Sequence, residues 1–194
     1  MSALYKLVNA DRTTYGGFRW PRRGFRPPRL DGVGPLCTTN WYHAYDSTLL
    51  AVLHDPIHGR FGPDAECFSI HVDADDIGRL DGQMKVGFRA GVVGETVPLP
   101  KVTTEQRVRY GIACASQVYD GLKWTRWAKG WIYSADRSAS SAASAARSTF
   151  SADHTARSAA NAAWGAASAA REASADLDLI SLAEWAISDS LELP

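Results

Sequence analysis

The chain predicts an α+β fold: a small, mostly antiparallel sheet domain with two helices over residues 1–130, then an Ala-rich helical region over 131–194. Three observations carry this prediction. Short alternating segments such as Leu4 to Val8 and Glu66 to Val72 read as strands closed by turn-forming clusters. The stretch opened by Thr103-Thr104-Glu105 reads as an amphipathic helix. From Ser134 to Asp176, 18 of 43 residues are Ala and none is Pro, and Ala loses no side-chain entropy in a helix.

Taken in order, Leu4 to Val8 forms the first strand, and Asn9-Ala10-Asp11 turns the chain. Tyr15 to Pro35 is a long loop rich in Gly, Pro and Arg. After Cys37, Asp46 or Ser47 caps a short helix to about Leu53, ended by Asp55-Pro56. Glu66 to Val72 is a strand, and Asp73 to Asp76 a turn. Met84 to Leu99 reads as one or two strands, with Gly87, Gly91 and Gly94 at bends or bulges. The next helix runs from Thr103 to about Tyr119 and buries Val108, Ile112, Ala115, Val118 and Tyr119. Trp124, Trp127 and Trp131, spaced by three and four, share one helical face and are read as core or interface. Gly165 breaks the tail, and a cap near Ser174 to Asp176 starts a last helix anchored by Leu177, Ile180, Trp185 and Ile187.

The alanines keep register. Stepping by sevens from Ala142 and from Ala145 gives fifteen positions to Leu191, thirteen of them apolar. Such a seam lets helices approach closely. It predicts either a helix lying on its own domain or a homo-oligomer joined through the Ala-rich helix.

Net charge is zero, but residues 1–130 carry 17 basic against 13 acidic side chains and residues 131–194 carry 4 against 8. Cys37, Cys67 and Cys114 form no C-x-x-C pair, so neither a disulfide framework nor a zinc motif is expected. No basic segment followed by an apolar core opens the chain, and no apolar run could span a bilayer, so a cytoplasmic protein without membrane contact is expected. His54 and His58 have the spacing of a metal pair, but Pro56 interrupts them and no H-E-x-x-H is present. Phosphate-loop, dinucleotide-fold and serine-hydrolase signatures are absent. No metal and no cofactor is expected.

The chemistry concentrates in the long loop. Arg19, Arg22, Arg23, Arg26 and Arg29 alternate with Phe18, Trp20 and Phe25. Guanidinium forks bind anions and flat rings stack on bases, so a host protein, nucleotide or nucleic acid is the expected partner. The plainer reading of the same residues is a solvated loop whose aromatics tuck into the core. Candidate ligand-binding residues are Arg19, Trp20, Arg22, Arg23, Arg26, Tyr42 and His43.

Cys37, Tyr42-His43, Met84 to Pro100, Thr104 to Ser116 and the Ser/Ala tail from Ser134 follow one another in an order that resembles a family of accessory proteins carried by actinobacteriophages. Those proteins combine a small α+β domain with a Ser/Ala-rich helical C-terminal tail. The chain departs from them in Trp41 before Tyr42-His43, where Gly is usual, and in its Arg/Pro-rich loop. The resemblance implies a phage protein acting in the bacterial cytoplasm and brings no activity with it.

These readings converge on a non-enzymatic binding protein that acts on a host macromolecule or small anionic ligand and interferes with a host process or defence. Two alternatives stand beside it. One is an ADP-ribosyltransferase-like enzyme, with His43 and Tyr45 holding the nucleotide and Glu66 or Glu95 acting on the ribose. The other is a structural virion component.

Overall fold

The computed structural model describes residues 1–36, 38–54, 64–80, 85–117, 122–134 and 177–194. Cys37, the Asp55-Pro56 breaker, His58, Val118, Tyr119 and nearly all of the Ala-rich stretch lie outside them, as does the side chain of Trp124. Helices and small antiparallel sheets coexist, an α+β arrangement. Contacts divide the chain into two compact units, Met1–Pro100 and Lys101–Pro194, where composition drew its line at residue 130.

The first unit holds, in order, β1 (Ser2–Val8), β2 (Tyr42–Ala44), α1 (Thr48–Leu53), β3 (Glu66–Val72), β4 (Ile77–Leu80), β5 (Val86–Phe88) and β6 (Val92–Val97). Two three-stranded sheets result, ordered β1-β3-β6 and β2-β5-β4, with every pairing antiparallel. Tyr5 and Tyr45 exchange backbone hydrogen bonds of 2.8 and 3.0 Å and so join β1 to the residue after β2. The stretch from Met84 to Leu99 is two strands in different sheets, separated around Ala90 and Gly91. The strands Tyr42–Ala44 and Ile77–Leu80 were not expected, because three or four residues are too few to show a period of two.

The sheets share one core. Leu4, Phe68, Ile70 and Val93 come from the first sheet, Tyr42 and Phe88 from the second, and Trp20 from the loop. In α1 the apolar run Leu49–Leu53 is wholly buried, and the Ser47 hydroxyl, rather than Asp46, accepts the Leu49 amide at 3.1 Å as the cap. Gly94 lies in the expected bulge. Between the pairs Ile70↔Val93 and Phe68↔Thr96, Gly94 and Glu95 oppose Ser69 alone, and the Ser69 hydroxyl accepts the Glu95 amide at 3.1 Å. A side chain at position 94 would collide with that hydroxyl.

In the second unit, α2 (Thr104–Ser116), α3 (Leu122–Tyr133) and α4 (Leu179–Ile187) pack together. Thr103 and Gln106 form a reciprocal capping box, Gln106 N–H donating to Thr103 Oγ1 at 3.2 Å and Thr103 N–H to Gln106 Oε1 at 2.8 Å. Val108 and Ile112 are buried as expected, together with Ala128, Trp131 and Ile132, while Ala115 is only half-buried. The last helix departs from its expected anchors: Asp178 caps it, Leu179, Leu182, Ala183 and Ala186 are buried, and Ile187 is 40% exposed. Leu177 and Ile180 are half-buried, and of the expected anchors Trp185 joins the cluster. The segment LISLAEWAI is apolar on most faces, so contact with α2 chose the buried stripe. Buried Arg109 in α2 sets its guanidinium 4.5 Å from the Trp185 ring centre and donates to the Trp185 and Ser190 carbonyls. Among the described residues no helix is long and apolar enough to cross a membrane.

Gly78 in β4 lies under the buried Trp41 indole, where any side chain would overlap the ring. Gly78→Ala should therefore cost about 1–3 kcal/mol, measured as a lower urea midpoint. An unchanged midpoint would mean the indole has room to move.

Candidate functional site

The long loop is ordered by what its aromatics and prolines are tied to. Trp20 is only 3% exposed. Its ring centre lies 5.1 Å from Tyr42, 5.3 Å from Phe18 and 5.7 Å from Phe68, and its Nε1–H donates to Thr14 Oγ1 at 3.2 Å. This corrects its expected part in ligand stacking: the indole serves the core, because burying so large a ring outweighs leaving it on the surface. Tyr42 is likewise buried. Its hydroxyl donates to the Pro28 carbonyl at 2.7 Å, and burial raises its pKa.

Further anchors follow along the chain. Arg12 Nη2 donates to the Pro21 carbonyl at 2.8 Å, Gly24 N–H to Val93 at 2.8 Å and Leu30 N–H to Arg89 at 3.0 Å. Arg29 grips the buried Asp76 carboxylate with both terminal nitrogens, at 2.6 and 3.1 Å, and Arg89 approaches the same carboxylate at 3.5 Å. The backbone from Trp20 to Gly32 is thus fastened at every few residues.

What faces outward is mostly cationic. Arg19, Arg22, Arg23 and Arg26 are exposed. Arg23 is ion-paired with Glu95 on β6. Arg22 and Arg26 have no carboxylate partner among the described residues, and the charge of Arg19 acts on Asp11. Arg19 and Arg22 line an open concavity of about 550 Å³ with Asp11, Arg12, Pro21 and Trp20. Asp11 is held below the usual carboxylate range, first by the Thr13 hydroxyl and amide, which donate to it at 2.6 and 3.0 Å, and also by Arg19.

Arg12 did not stand out in the sequence, yet it organises this rim. It is the non-Gly residue with positive φ (64°) among those described, a conformation few side chains adopt without surrounding support. Support comes from Phe68, whose ring centre lies 4.6 Å from the guanidinium, from Glu66 at 3.5 Å and from the Pro21 carbonyl. The available signal was its place just after the first strand's turn.

His43 does not line this concavity. It is half-buried on β2, its Nε2 is hydrogen-bonded to the Leu36 carbonyl, and its own carbonyl accepts Lys6 Nζ at 2.7 Å. Tyr45 faces His54 with ring centres 5.8 Å apart. Glu66 and Glu95 each already answer an arginine. Trp20, Tyr42 and the loop arginines are therefore brought into one region, the aromatics beneath and the cations outside. Among the described residues no three His, Cys, Asp or Glu side chains gather as a metal site. No family model, curated protein or solved structure matches the chain.

Trp20→Ala should cost about 3–5 kcal/mol, read from chemical denaturation. A loss below ~1 kcal/mol would show that the ring is dispensable to the core. A second expectation concerns pH. The Lys6 ammonium points inward, 5.4 Å from the Trp20 ring centre, and burial, with repulsion from Lys85, lowers its pKa from 10.5 to about 8. Between those values the unfolded chain binds more protons, so stability rises with pH. Burial raises the Cys67 and Cys114 thiols from 9.0 to about 11 and about 12, which lowers stability above pH 9. The clear window is pH 8 to 9. There the wild type should gain stability while Lys6→Met stays flat, and equal slopes for the two would refute the assignment.

Proposed function

We propose that the chain is a non-enzymatic binding protein that holds an anionic host macromolecule or small anionic ligand on the Arg19–Arg26 face. One observation carries this reading: Arg22 and Arg26 lie exposed with no carboxylate partner among the described residues, on a backbone tied to the core. Arginines that serve folding here are engaged by acids or carbonyls, as Arg12, Arg29 and Arg109 are. Cations left over on an ordered surface have the arrangement that anion capture needs, since their geometry costs little to organise at binding.

The setting is the one the sequence resemblance implies, a phage accessory protein in the bacterial cytoplasm, and interference with a host process is the role we propose for it there. The heptad pattern of the Ala-rich stretch supports a helical tail that packs or self-assembles. Glu66 and Glu95 are engaged by Arg12 and Arg23, which favours binding over an ADP-ribosyltransferase reaction.

Retention on immobilised heparin tests the reading. The full chain should elute at raised salt, and the triple variant Arg19→Glu, Arg22→Glu, Arg26→Glu should elute markedly earlier with an unchanged melting temperature. Equal retention of the two proteins would locate anion binding elsewhere.

A further inference from the structure

Arg22-Arg23-Gly24-Phe25 is a β-turn: Phe25 N–H donates to the Arg22 carbonyl at 3.1 Å, and Gly24 takes φ 81° at the third position, where type II turns require glycine. The turn is held against the edge of β6. Gly24 N–H donates to the Val93 carbonyl at 2.8 Å, Val93 N–H donates to the Phe25 carbonyl at 3.1 Å, and Arg23 pairs with Glu95 of the same strand. Buried Pro27 follows, and the Tyr42 hydroxyl fixes Pro28. From this rigid support Phe25 projects 66% exposed, between the exposed Arg22 and Arg26. It is the one large apolar side chain left exposed between Arg19 and Leu30.

We infer that the Arg22–Arg26 turn binds single-stranded nucleic acid, with Phe25 stacking on a base and Arg22 and Arg26 contacting the flanking phosphates. This rests on the anion-binding reading above and names its ligand. An exposed ring flanked in sequence by exposed arginines on one turn matches the alternation of bases and phosphates along an unpaired strand. The surroundings fit the other polyanions less well. A stable protein interface buries a contiguous apolar core, and an interfacial membrane anchor needs a whole apolar face, whereas this turn offers a single ring. In a duplex the bases are already stacked, so Phe25 would have nothing to engage.

Fluorescence anisotropy with the full-length chain decides the matter, using labelled oligothymidylate, a labelled DNA duplex and phosphatidylserine vesicles. Oligothymidylate should bind best. Phe25→Ala should weaken it roughly 5- to 150-fold and Phe25→Trp should retain it. Gly24→Ala, which strains the turn while keeping the ring, should also weaken binding. Replacing Arg22 and Arg26 with Ala should reduce the log–log salt slope by about 1.4. Because Phe25 is exposed, its variants should melt with the wild type, which separates lost contact from lost fold. Unchanged single-strand affinity in Phe25→Ala, equal affinity for duplex, or preference for vesicles would each overturn the inference while heparin retention kept the broader reading. Failure to bind heparin as well as oligothymidylate would remove both.

Discussion

The burial of Trp20 is the constraint on which the first unit depends. Its indole meets Phe18 from the same loop, Tyr42 from β2, Phe68 from β3 and Phe88 from β5, with ring centres 5.1 to 6.4 Å apart. Placing an indole in such a site contributes about 4–6 kcal/mol of gross hydrophobic stabilisation, a large share of the net stability of a small domain. Two sheets of three short strands are joined by this aromatic cluster, by the rest of their shared core and by the Tyr5–Tyr45 backbone hydrogen bonds. Once Trp20 is inside, the chain on either side is committed to run across both sheets, and the following ten residues cannot drift from the surface.

The arginines then divide by what the loop's path leaves within reach. Arg29 meets Asp76, whose side chain is only 10% exposed. A carboxylate so buried is costly without a cation, so this pair is structural. Arg23 and Glu95 are 71% and 61% exposed, and a pair in water is worth about 0–1 kcal/mol, so Arg23 can exchange its partner for a ligand at small cost. Among the described residues Arg22 and Arg26 have no acid to surrender. Structural and available cations thus stand within one loop, and the exposed ring of Phe25 lies among the available ones.

Part of the candidate site was legible beforehand. Alternating Arg and aromatic residues marked the loop, and its arginines do reach solvent. The pattern could not say which ring would be buried, since Phe18, Trp20 and Phe25 have similar chemistry and differ only in what lies beneath them. Trp20 went to the core and Phe25 to the tip, the reverse of a ranking by stacking surface. Arg12 was missed for a related reason: its importance comes from a left-handed backbone and from Phe68 and Glu66, more than fifty residues away. His43 and the glutamates looked like reaction partners until each was seen with its own neighbour.

Local chemistry by itself determined several elements of this protein. The Ser47-capped helix to Leu53 and the Thr103 capping box follow from interactions within a few residues, and the Glu66–Val72 strand and the Gly94 bulge left a local mark in alternation and in a glycine. The caps survive in sequence because the atoms involved are sequence neighbours. The tertiary structure decided the rest: which sheet each short strand joined, which face of the mostly apolar α4 was buried, which aromatic filled the core and which arginines met a buried acid. Those outcomes depend on burial against distant residues, and burial, unlike a cap or a turn, has no local code.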